Sequence, residues 1–116
     1  MKQYDAGVNG ELAAEQYLCQ LGMCVAARRY RAAGGEIDLI MIDRETVVFV
    51  EVKARRNSSR GTGLAAITPA KIRRISHAAL GFLIEKEWTD YPVRFDVIEI
   101  SRDGILHIPN AFVAPE

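Results

Sequence analysis

From Ala6 to Leu21 the apolar positions fall at helical spacing: Ala14, Leu18 and Leu21 form a stripe, and Glu11 continues it one step toward the N-terminus. Gly22 then supplies a stop. The pattern changes to strand-like segments, a short one over residues 24–30 (CVAARRY) and, after the loop RAAGG, two longer ones over about 36–42 and 46–53. A tight turn near Asp43 to Glu45 joins that pair. Residues 56–66, RNSSRGTGLAA, are polar and glycine-bearing and predict a mobile loop. Thr68-Pro69 opens a second helix, with Thr68 as N-cap and Pro69 at its first position, running to about Lys86 with Ile72, Ile75, Ala79 and Phe82 inward. A strand over residues 93–100, VRFDVIEI, turns at Asp103-Gly104 into a last short one, ILHIP. The order α-β-β-β-α-β-β predicts an α/β domain, a mixed sheet covered by helices.

Against this pattern, charges stand where buried strands should carry none: Glu36 and Asp38 in the first long strand, Glu51 and Lys53 in the second. A hairpin centred between Arg44 and Glu45 places Asp38 directly opposite Glu51, with Cβ atoms roughly 4.5–5.5 Å apart. Glu51 and Lys53 share a face with Val47 and Phe49, and Asp38 shares one with Glu36 and Ile40. Two carboxylates so placed among apolar neighbours repel, and something must compensate. Lys53 offsets one charge, and a hard divalent cation such as Mg²⁺ or Mn²⁺, which takes one or two carboxylates and keeps several waters, would offset the remainder. Such an ion beside a lysine has the chemistry of phosphodiester hydrolysis. An internal salt bridge of Lys53 with Asp38 or Glu51 uses the same residues, and both readings stand at this point.

Net charge is zero, but its distribution is uneven. Residues 1–51 hold five Lys/Arg against eight Asp/Glu, residues 52–84 hold seven bases and no acid, and residues 85–116 hold three bases against seven acids. The middle block can raise a local positive field that the total conceals. Arg55, Arg56 and Arg60 follow the charged strand, and Lys71, Arg73 and Arg74 open the second helix; both groups are candidates for holding phosphates of nucleic acid. Arg28, Arg29 and Arg31 are weaker candidates at a strand end. The 116 residues suit one domain, 1–116. No apolar run reaches the length of a membrane span, and the N-terminus lacks the core of a signal peptide, so a cytoplasmic protein without a membrane partner is expected. Cys19 and Cys24 have no partners at metal-ligand spacing and read as reduced, packed small hydrophobes. Glu15 and His77 read as surface or structural residues, and Asp96 as a partner of Arg94 on its own face.

Asp38, twelve residues, then Glu51-Val52-Lys53 resembles the PD-(D/E)xK signature of the restriction-endonuclease-like nucleases. More narrowly, GGEIDLI, VFVEVKAR, the Thr-Pro-x-Lys helix start at Thr68 to Lys71, and RFDVI resemble the YraN-like family of bacterial proteins over nearly the whole chain. The proline of the superfamily motif is absent, since Ile37 precedes Asp38. The resemblance implies a four- to five-stranded mixed sheet flanked by helices and a metal site at the hairpin, with Asp38, Glu51 and Lys53 as catalytic residues. Archaeal junction-resolving nucleases of this superfamily place a glutamate on the first helix four residues after a glycine. Gly7 to Glu11 matches that spacing, so the likeness implies Glu11 as a third carboxylate for the metal. It also implies DNA, branched or structured, as substrate, and a homodimer. Two other functions fit the same sequence: a non-catalytic nucleic-acid-binding protein, and a protein-interaction module that docks its basic segment on an acidic partner.

Overall fold

The computed structural model describes residues 6–55 and 67–115. Helix α1 (Ala6–Gln20) is followed by β1 (Cys24–Ala32), β2 (Gly35–Asp43) and β3 (Thr46–Arg55), then by α2 (Pro69–Lys86), β4 (Val93–Ser101) and β5 (Gly104–Phe112). The five strands form one sheet in sequential order. Neighbours pair antiparallel except β3 and β4, which run parallel and are linked through α2. This is the mixed five-stranded sheet with two helices expected of a restriction-endonuclease-like fold.

Each face of the sheet buries its own core. Ala14 and Leu18 of α1 pack with Leu39, Met41, Val48 and Val50 on one face. Ile75, Ala79 and Phe82 of α2 pack with Ile40, Phe49 and Phe95 on the other. Edge-on contacts from Tyr30 to Phe82 and from Phe82 to Phe49 carry the second core across three elements. The alternation of β3 accounts for this: Val48 and Val50 face α1, while Val47 and Phe49 face α2.

Helix ends follow local chemistry. The Thr68 side chain accepts the Lys71 amide at 3.1 Å, with Pro69 at the first helical position. At the other end, Glu87 adopts a left-handed conformation and its amide closes the last turn. Helix α1 stops at Gln20, one residue short of the expected Leu21, with Gly22 at φ 99°. Leu21 is therefore 54% exposed rather than inward, and Met23, whose amide bonds the Leu18 carbonyl, fills the place below Leu18. Ile72 is only partly buried.

Other expectations need correction. Cys19 and Cys24 are free and exposed, because Cys19 lies on the outer side of α1 and Cys24 opens the edge strand. Strand β5 is longer than ILHIP; it accommodates Pro109 because β5 is an edge and its register with β4 shifts between Phe95 and Val97. The expected loop at residues 56–66 lies outside the described residues. No helix among the described residues is long and apolar enough to cross a membrane.

Candidate functional site

The β2–β3 hairpin has the anticipated register. Asp43 pairs with Thr46 across Arg44-Glu45, and the ladder runs to Leu39–Val50. One step further the strands part. The Asp38 carboxylate instead accepts the Val52 amide through Oδ2 at 2.8 Å. The regular alternation of β2 also breaks there: Ile37 and Ile40, which an undisturbed strand would send to opposite faces, join the same core. The neighbouring strand answers in kind. Arg29 of β1 sits at φ 49°, and the consecutive residues Arg28 and Arg29 both reach acids of α1, at 2.7 Å to Glu15 and 2.8 Å to Glu11. Asp38 thus occupies a local irregularity between two strands.

Glu51 is buried beside it, and its Oε2 meets two ammonium groups, Lys53 at 3.4 Å and Lys71 at 2.5 Å. The internal salt bridge that the sequence allowed is present, to Glu51, and a second lysine joins it. Burial first, and the neighbouring Glu51 carboxylate second, push the Asp38 carboxyl up to about 8; the Val52 amide works against them. The charge of Glu11 adds to the rise. Lys53 is held below the ordinary lysine range by burial and by its hydrogen bond with Lys71. For Lys71 burial also works downward, but the bonds to Glu51 and Lys53 outweigh it and the group is raised. Of the two lysines, Lys53 is the one that yields a proton more readily.

A cleft of about 620 Å³ opens onto these groups, lined by Asp38, Glu51, Lys71, Arg74, Arg31 and Glu36 among others. Its width depends on Gly35: a Cβ there would collide with the Arg74 carbonyl, so the start of β2 passes against the first turns of α2. Glu36 lies 3.7 Å from Arg31 across the mouth.

The structure brings Asp38, Glu51, Lys53 and Lys71 together and sets Glu11 at their margin, tied to Arg29. Arg73 and Arg74 are both exposed, and of the two Arg74 lines the cleft. Arg56 and Arg60 lie outside the described residues, as does the side chain of Arg55. Glu15 lies at the surface, partly covered, and Arg28 holds both of its oxygens. His77 is exposed, as expected. Asp96 does pair with Arg94, and also with His107 and the Asn110 amide.

Two residues escaped the sequence reading. Lys71 was assigned to a phosphate-binding flank, yet it reaches the carboxylate pair itself. Glu99 is 1% exposed and in register with Lys53 across the parallel β3–β4 pair. Its signal was the one that exposed Glu51: an acid inside an apolar run, VIEI beside VFVEV.

As a metal site, the donor set suits a hard divalent ion of the magnesium type, which needs one or two carboxylates and keeps its remaining waters. Asp38 and Glu51 would hold it. A preassembled third ligand is not in place: among the described residues, no group of three His, Cys, Asp or Glu side chains converges.

The strand order, the parallel β3–β4 pair and the helix on each face define a restriction-endonuclease-like α/β domain. Within that class, residues 10–100 match the uncharacterised protein family UPF0102, the YraN-like family, and the chain belongs to it. It is similar to the UPF0102 protein of Geobacter sulfurreducens, 47% identical over 111 residues, covering 91% of this chain and 87% of the relative. A UPF0102 protein of Saccharophagus degradans is 40% identical over 116 residues, 99% and 98% of the two chains. One from Pectobacterium carotovorum is 41% identical over 114 residues, 97% of each.

Proposed function

We propose that this chain is a Mg²⁺- or Mn²⁺-dependent nuclease that binds DNA in the cleft and hydrolyses a phosphodiester at Asp38, Glu51 and Lys53. The observation that carries this reading is the nearness of the Asp38 and Glu51 carboxyls just beyond the end of the hairpin ladder, with Asp38 pushed up to about 8. Burial and the Glu51 carboxylate disfavour the charged form of Asp38, and a cation bound between the two carboxylates would favour it.

A metal held by Asp38 and Glu51 would polarise the phosphoryl oxygens and supply a hydroxide-like water near neutral pH. The chain's own groups do the rest. The Asp38 carboxylate is fixed by the Val52 amide, so its direction is set before any ligand arrives. Lys53, partly buried and held against Glu51, stabilises charge developing on the phosphorus or orients the attacking water. Arg74 and Arg31, both lining the cleft, take the flanking phosphates. Glu11 acts from the margin through its charge. The junction-nuclease likeness extends the proposal to branched DNA and a two-fold homodimer.

The test is cleavage of single-stranded, duplex and four-way DNA with Mg²⁺ or Mn²⁺, with Asp38→Asn and Lys53→Ala prepared identically. Wild-type products that drop by at least about a hundred-fold in both variants are expected. Equal cutting by the variants, or no product from the wild type, would remove the catalytic reading. Salt-sensitive DNA binding that survives Asp38→Asn would then leave a non-catalytic binder, and no affinity at all a protein-interaction module.

A further inference from the structure

We infer that Lys71 is a resident counter-ion that makes metal loading at Asp38 and Glu51 depend on a phosphodiester in the cleft; this rests on the metal-dependent reading above. The placement of Lys71 is the first argument. It stands in the opening turn of α2, at the positive end of the helix dipole, where a cation is disfavoured and where this helix carries no acid. Its position needs an opposing gain, and the contact with Glu51 at 2.5 Å provides one.

Charge balance is the second argument. With Asp38 and Glu51 both ionised, as metal binding requires, they face Lys53 and Lys71, two acids against two bases, so the cluster is already neutral before a divalent ion enters. A divalent ion alone would leave a surplus of positive charge in a partly buried site. Either an ammonium must leave Glu51 or a phosphate must enter.

Lys71 is the group able to leave. Its side chain is 31% exposed and lines the cleft, whereas that of Lys53 is 18% exposed and outside the lining. Glu51, at 5%, cannot follow it. Swinging away from Oε2 frees a carboxylate oxygen for the ion and turns the ammonium toward a phosphate beside Arg74. Ion and phosphodiester then strengthen one another, and by linkage the effect is reciprocal.

The experiment measures Mn²⁺ affinity from the paramagnetic signal of the free ion. Wild type, Lys71→Met, Lys71→Arg and Asp38→Asn are compared, with and without the dinucleotide TpT, which carries a single phosphodiester. Met preserves the unbranched stem, and Arg preserves the charge. Lys71→Met is expected to bind Mn²⁺ alone about ten-fold more tightly than wild type, and Lys71→Arg like wild type. TpT should tighten Mn²⁺ binding several-fold in wild type and little in Lys71→Met. If Lys71→Met binds no more tightly than wild type while Asp38→Asn abolishes binding, Lys71 is not a competing cation and the metal site stands without it. If none of the proteins binds Mn²⁺, this inference and the metal-dependent reading fall together.

Discussion

Asp38 and Asp96 are both lodged in apolar strands, and their surroundings drive them in opposite directions. Asp38 has one amide donor and a carboxylate neighbour, and is pushed up to about 8. Asp96 is fully buried, and burial works to raise it; His107, Arg94 and the Asn110 amide outweigh that and hold it below the ordinary carboxylate range. The two therefore contribute to stability with opposite sign. For Asp38 the folded state binds more protons than the unfolded chain, so stability declines as pH rises from the carboxylate range to about 8. For Asp96 the contribution is present above the unfolded pKa and is lost as pH falls below it. Thermal melts in a chelator from pH 3 to 9 should show Asp38→Asn more stable than wild type by roughly 1–3 kcal/mol at pH 8, converging at acid pH. Asp96→Asn should be destabilised by about 3 kcal/mol at neutral pH, less in acid. An Asp38→Asn protein that melts below wild type at pH 8 would contradict this account of the site.

At the level of elements, the cleft depends on how closely β2 approaches α2. Gly35 has no room for a Cβ against the Arg74 carbonyl, which is main chain and cannot rotate aside. Gly35→Ala should therefore shift α2 outward, cost about 1–3 kcal/mol, and separate Lys71 from Glu51. A crystal structure of the variant and its melting temperature would check both; an unmoved helix with unchanged stability would refute it. This close approach also marks the limit of what could be read in advance. The hairpin register as far as Leu39–Val50, and with it the nearness of Asp38 to Glu51, followed from alternation and a turn at Arg44-Glu45, because they are local. So did the capping of α2 by Thr68. The direct opposition of the two carboxylates did not survive the parting of the strands. Lys71 reaching Glu51 depends on the tilt of a helix over a sheet, and Glu99 beside Lys53 depends on parallel pairing across a crossover. Neither leaves a period in the sequence. The break at Asp38 was equally hidden, since it accompanies a left-handed Arg29 at the neighbouring position of β1. Leu21 shows the opposite error, a helical period extended one residue past the last helical position, Gln20.

Over the whole molecule, many of the bases are already engaged. Arg28 and Arg29 pair with α1, and Arg94 with Asp43 and Asp96. Among the described residues Lys71, Arg74 and Arg31 line the cleft and are what it offers to a backbone, Lys71 and Arg31 by exchanging Glu51 and Glu36 for phosphate. Three phosphate contacts predict that log affinity for short duplex DNA falls against log salt with a slope of about −2 to −3. Arg74→Ala should weaken binding at every sequence and flatten that slope by about one. Titrations from 50 to 200 mM KCl would measure it, and a slope near zero would exclude a phosphate-led interface.

The buried charged groups of the parallel pair are divided between the two faces of the sheet. Glu51 meets Lys71 of α2 on one face, and Asp96 meets His107, whose ring stands edge-on to Tyr17 of α1, on the other. On that second face Arg94, Asp96 and His107 hold β4 to its neighbour, with the sheet between them and the cleft that would meet a substrate. A lineage carrying this fold can accordingly exchange residues at Asp38 or Lys71, and drift in chemistry, without first surrendering the ability to fold.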